Sequence, residues 1–245
     1  MQLNQVKILI YLVVLFMFFS CEKDCLEFAG DDISISQEFA NFTKIEMYDT
    51  FTYHLIQDSA NYVELRGKEN LIKNTEIELQ GNVLSFRTKP TCTLFKGYHD
   101  TEVYIHFKEI NEIYIEGNAS IYSKDTLYLD NLFIENKGDF ATWDIIIKAK
   151  KLHVSLQAIV GEMIISGVCD NLSLYSGGTN HCFFEKLECN TADINHSSLG
   201  NIYLTINQHL NLQLLSSGNF FCYGKPDSYS IDHPESSKGA LIFKD

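Results

Sequence analysis

Leu132-Phe133-Ile134-Glu135-Asn136-Lys137-Gly138 is echoed by Leu152-His153-Val154-Ser155-Leu156-Gln157-Ala158 and again by Leu172-Ser173-Leu174-Tyr175-Ser176-Gly177-Gly178. Ala192 to Ser198 and Leu210 to Ser216 continue the series. The heads Leu132, Leu152, Leu172, Ala192 and Leu210 are 20, 20, 20 and 18 residues apart, and a small residue stands six positions after each: Gly138, Ala158, Gly178, Ser198 and Ser216. Ile113 with Ala119 repeats that offset one unit earlier. A constant interval of this length is the mark of a solenoid, whose units bury their apolar faces only on their neighbours. The chain therefore reads as all-β, a single-stranded parallel β-helix with rungs of about 20 residues over 109–224. This period is architectural and carries no chemistry.

Each rung opens on a polar pair, such as Asp130-Asn131, Lys150-Lys151, Asp170-Asn171 and Asn190-Thr191. Asn and Asp tolerate left-handed backbone and suit a corner repeated on every lap. Alternation in Leu152-His153-Val154-Ser155-Leu156 predicts strands with every second side chain inward. Gly138, Gly178, Gly200 and Gly218 are expected at corners where bulk would block stacking. Residues 33–108 read as looser strands, with a hairpin at Gly81-Asn82 and one helical turn beginning at Asn70-Leu71-Ile72. Residues 225–245 leave the period and read as a cap ending in Ala240-Leu241-Ile242-Phe243.

The first residues look like a targeting segment. Lys7 precedes twelve unbroken apolar residues, Ile8 to Phe19, too short a run for the roughly 20 residues that span a bilayer and suited to a signal-peptide core. Ser20-Cys21 directly after it resembles a bacterial lipoprotein cleavage site, although Phe18 and Phe19 stand where Leu and a small residue are usual. The expectation is a signal peptide over 1–20, a lipid on Cys21 and an acidic tether over 21–32. Glu22, Asp24 and Glu27 resemble the acidic export tags of surface lipoproteins of the Bacteroidetes. The formal charge is −13, and losing residues 1–20 removes one Lys and no acid, leaving −14. That balance speaks against nucleic acid and anionic lipid as partners.

Six further cysteines allow disulfides in an exported protein. Cys169 and Cys189 are one period apart, while Cys182 and Cys222 are two, beyond the reach of a bridge if they share a column. All four read as column fillers; Cys25 and Cys92, outside the regular rungs, are the disulfide candidates.

The order of these features is similar to a known family. Cys21 and Cys25, Phe42-Thr43-Lys44-Ile45, Asn70-Leu71-Ile72, Gly81-Asn82-Val83-Leu84-Ser85-Phe86, the rungs, and Ser217-Gly218-Asn219-Phe220-Phe221-Cys222-Tyr223-Gly224-Lys225-Pro226 resemble the putative autotransporter adhesin, head GIN domain family of the Bacteroidetes. The resemblance implies a β-solenoid and an adhesin-like role, and it brings no catalytic residues.

Local chemistry is sparse. Arg66 and Arg87 are the only arginines, and Glu135, Asp144, Glu162, Glu185 and Asp193 do not fall in one column, as a polysaccharide-cleaving groove would require. The histidines lack metal-ligand spacing; His181 and His196 are expected on neighbouring rungs at the surface. No metal or cofactor is expected. Trp143 reads better as buried on a rung than as a sugar platform. Phe183-Phe184 and Phe220-Phe221 each place one ring outward, so these four are the candidates for exposed aromatics. The reading is a lipid-anchored, non-catalytic surface scaffold of the outer membrane for a glycan or protein partner. The alternatives are a β-helix lyase or hydrolase and a periplasmic structural or signalling protein.

Overall fold

The computed structural model describes residues 28–90, 100–138, 140–157 and 160–244. Cys21, Cys25, Cys92 and Ala158 lie outside them. The described chain is strand almost throughout, with one helical turn, α1 (Glu69–Ile72). It winds as a parallel β-solenoid of about six turns with rungs of roughly 20 residues.

Long strands that run through the corners build the regular part: β10 (Leu127–Asn136), β11 (Phe140–Leu156), β12 (Val160–Gly178), β13 (His181–Ser198) and β14 (Ile202–Leu214). Successive strands pair in parallel, and Leu132, Leu152, Leu172, Ala192 and Leu210 lie opposite one another in turn. All five are buried. The sequence period is thus an interior file. Trp143, Met163, Cys182, Ile202 and Phe220 form a second one, also buried.

The front strands differ from the simplest extension of the period. Ile113 in β8 (Glu112–Ile115) pairs with Ile134, and Ala119 in β9 (Ala119–Tyr122) pairs with Ala141. Ile113 is therefore two residues out of step with Leu132. A slip of two preserves the inward alternation, so apolar pattern alone cannot distinguish the registers. The interval of 18 is the net of two irregularities: Glu185, Lys186 and Leu187 of β13 have no counterparts between Leu204 and Thr205 of β14, and β14 regains one residue between Ile206 and His209. The Thr205 hydroxyl donates to the Glu185 carbonyl at 2.7 Å across the first of these.

At the corners, a Cβ on Gly138 would land on the Gly117 carbonyl oxygen, on Gly200 on that of Asn180, and on Gly218 on that of Gly200. Backbone stacks on backbone there, and only glycine fits. Gly178 belongs to a different file, opposite Ser198, and its demand is conformational, with φ +76°.

The front half holds two more rungs and a cover. β2 (Lys44–Met47) lies between β6 (Val83–Thr88) and β8, and β3 (Phe51–Gln57) lies between β7 (Glu102–Phe107) and β9, all in parallel. β5 (Thr75–Gln80) folds antiparallel onto β6 through the Gly81-Asn82 hairpin. β4 (Tyr62–Lys68) lies antiparallel on β7, and β1 (Asp32–Glu38) antiparallel on β4. At the other end β15 (Phe220–Tyr223) stacks on β14, β16 (Ser228–Asp232) on a second stretch of β14, and β17 (Leu241–Lys244) on β15, all parallel. Residues 225–244 end the solenoid as one further lap.

Cys169 and Cys189 are register partners with buried thiols. Cys182 and Cys222 do not share a column, contrary to expectation. Cys182 pairs with Ile202 and Cys222 with Leu204, two positions along, because the lap from Ile202 to Phe220 is two residues shorter than that from Cys182 to Ile202.

Candidate binding face

Outward side chains form files of their own. One runs the length of the molecule: Tyr104, His54, Tyr122, Asp144, Ile164, Phe183, Tyr203, Phe221 and Ile242 are successive register partners. Aromatic rings occupy both ends of it. In front, His54 stacks on Tyr104 at 4.3 Å and 12°, and on Tyr122 at 5.9 Å and 30°. Behind, Phe183 stacks on Tyr203 at 5.3 Å and 13°, and Tyr203 on Phe221 at 4.7 Å and 6°. The separations follow the interstrand spacing of about 4.8 Å. Ring faces therefore look along the solenoid axis and rims look outward. A cation closes each end: the Arg66 guanidinium is 4.2 Å from the Tyr104 centroid, and the Lys244 ammonium is 5.3 Å from that of Phe221.

Phe183 and Phe221 are half-buried members of this file. Phe184 and Phe220, also candidates for exposure, are buried, because strand alternation turns one ring of each pair inward. Tyr203, which completes the stack, stands in Asn201-Ile202-Tyr203-Leu204-Thr205-Ile206; stepping 20 back from it to Phe183 and 18 on to Phe221 would have found it.

Around Arg66 the front of the face is charged. Arg66 Nε donates to Glu64 at 2.8 Å, and this pairing holds the Glu64 carboxyl at about 2. Burial raises the Tyr104 phenol, helped by its hydrogen bond to Glu102, and burial lowers the His54 imidazole. A second outward surface is polar. The Asn211 amide donates to Asp193 at 3.1 Å, Ser230 donates to Asn211 at 2.8 Å, and Asn195 donates to Gln213 at 2.9 Å. A groove of about 620 Å³ is lined by Gln57, Lys108, Tyr128, Asp130, Lys148 and Lys150. Gln57 donates to the Tyr128 carbonyl at 3.0 Å and accepts from its amide at 2.7 Å, so a side chain completes the edge where β10 begins.

The rung carboxylates are dispersed. Glu135 pairs with Lys137 at 3.0 Å, Asp144 stands in the aromatic file, Asp193 in the amide ladder, and Glu162 and Glu185 are exposed elsewhere. Among the described residues no group of three or more His, Cys, Asp or Glu could hold a metal ion. Trp143 is buried. His181 and His196 sit on one strand, β13, and not on neighbouring rungs. His196 is buried in one inward file with Asn136, Leu156 and Ser176, and Ser176 is its register partner. Burial pushes its imidazole down to about 4.

A profile of the family described as "Putative auto-transporter adhesin, head GIN domain" matches residues 41–226. Among solved structures, a putative adhesin from Bacteroides fragilis has 19% identity and a TM-score of 0.77, covering 89% of this chain and 99% of its own. A putative lipid binding protein from Parabacteroides distasonis has 18% identity and a TM-score of 0.65, covering 88% of this chain and 98% of its own. A putative adhesin from Parabacteroides merdae has 16% identity and a TM-score of 0.60, covering 88% and 97%. At these identities the likeness is one of fold. No curated protein matches the sequence.

Proposed function

We propose, since the chain belongs to the family "Putative auto-transporter adhesin, head GIN domain", that it is an exported, lipid-anchored and non-catalytic protein of the outer membrane that holds a glycan or protein partner along the flank of its solenoid. The observation that carries this reading is the outward file of stacked rings ending in Phe183, Tyr203 and Phe221. Each ring is clamped by its neighbours and fixed to a rung, so a partner meets an already ordered apolar strip and little side-chain entropy is lost on contact. Stacking hides the ring faces, so the strip favours a flat apolar or CH-rich surface lying across several rungs. The acidic balance of −13 turns polyanions away.

Anchoring follows from Cys21 behind its apolar run, since each buried CH₂ of an acyl chain contributes about 0.8 kcal/mol. Glu22, Asp24 and Glu27 favour the outward side of the membrane. Binding is tested by screening the protein on glycan and protein arrays beside the triple variant Phe183→Ala, Tyr203→Ala, Phe221→Ala. The expected result is a ligand whose binding falls at least tenfold in the variant while its unfolding curve stays cooperative; silence across broad panels would count against an adhesive role. Labelling cells with radioactive palmitate tests the anchor: the label should enter the native chain and be absent from Cys21→Ser.

A further inference from the structure

We infer that the C-terminal end of the solenoid is an interface between two copies of this chain, joined end to end. This inference is independent of the ligand proposed for the flank. Residues of the last lap continue the interior files: Tyr229 follows Leu210, Ile231 follows Leu212, Leu241 follows Phe220, and Phe243 follows Cys222. The preceding members are wholly buried. In the last lap Tyr229 is 54% exposed, Ile231 41% and Phe243 47%, and Leu241 is half-buried. The core of the solenoid is thus open in cross-section, with the Tyr229 and Phe243 rings 5.3 Å apart across it. The edge is open as well. Among the described residues the only register partner of β16 is β14, and that of β17 is β15. The front end shows the contrast, covered by the antiparallel strands β1, β4 and β5. Solenoids need a polar terminal unit, and long bare edges invite pairing.

Charge selects the occupant. The protein is strongly acidic, but residues 224–245 carry Lys225, Lys238 and Lys244 against Asp227, Asp232, Glu235 and Asp245. This end carries a formal charge of only −1, so a basic partner gains little there and a second copy meets little repulsion. About a two-fold axis perpendicular to the strands, β16 meets β16 of the other copy and β17 meets β17, each pair antiparallel. Both edges and both apolar cross-sections are then satisfied together. A specific interface needs about 1,000 Å² in total, and a contact confined to one cross-section is small by that measure, so the pair is expected to be concentration-dependent.

The test is the mass of the full chain in a mild non-ionic detergent, measured by light scattering with the detergent contribution separated, over a dilution series. A monomer–dimer equilibrium is expected, and X-ray scattering should give a dimer about twice as long as the monomer. Tyr229→Asp and Phe243→Asp should each weaken dimerisation at least tenfold with cooperative unfolding retained. Val168→Ser, an exposed flank variant, should leave it unchanged. If either aspartate variant fails to fold, Ile231→Lys, at another exposed position of the same open cross-section, takes its place. A monomer at every concentration, a dimer insensitive to these variants, or a dimer no longer than the monomer would overturn the inference.

Discussion

Gly218 and His196 meet at one corner, and each sets a limit on the fold. A Cβ at Gly218 would strike the Gly200 carbonyl oxygen and crowd His196 Cε1 at 2.7 Å. Neither backbone lap can retreat without breaking its ladder. Gly218→Ala should therefore destabilise the protein by about 2 kcal/mol or more, read as a lower midpoint in urea unfolding. His196 brings pH into the balance. Its ring is buried with Nε2 3.3 Å from the Asn219 carbonyl and Nδ1 unpartnered. The unfolded chain takes up a proton there near pH 6.5, the folded chain only near pH 4. Stability is thus full above about pH 6.5 and falls as pH drops towards 4, by roughly 2–3 kcal/mol from this group. Urea midpoints at pH 7 and pH 4.5 should show the drop, and His196→Gln should flatten it. The burial of His196 could have been read from its place four residues after the head Ala192, in step with Leu156 and Leu214. Residue type alone misleads, because imidazole, like the Asn136 side chain in the same file, serves the backbone at the corner, while Ser176 donates to the Asn180 side chain there.

Strands here are stabilised by what lies above and below them more than by their own sequence. Leu172 touches its counterparts in the file on both sides, and truncation leaves a hole that the laps cannot close. Leu172→Ala should cost about 2–5 kcal/mol in cooperative unfolding. The outward rings obey the same logic more weakly. A double-mutant cycle with Tyr203→Ala and Phe221→Ala should give a coupling of about 0.5–1.5 kcal/mol, and the pair Tyr203→Ala with Tyr104→Ala, at opposite ends of the file, should give none. Alternation in the sequence showed which side of each strand faces inward. It did not show register where corners change length. That is why counting laps of constant length puts Ile113 two residues out of step and Cys182 and Cys222 in one column.

For the molecule as a whole, regular repetition made the back half legible and the front half obscure. Rungs after Leu127 stack on the rung just made, so position in the chain is position in space. Their aromatic file could be traced by counting laps, whereas Tyr104, His54 and Tyr122 come together only through pairings that cross the sequence. Those pairings follow from one departure: the lap made of β2 and β3 is sandwiched by strands that come later on both sides. A chain delivered from its N-terminus holds this seed with bare flanks until residues near 107 and then 122 have arrived. Assembly therefore spreads from an internal starting point in two directions, and about half of the polypeptide must be present before this lap is flanked on both sides.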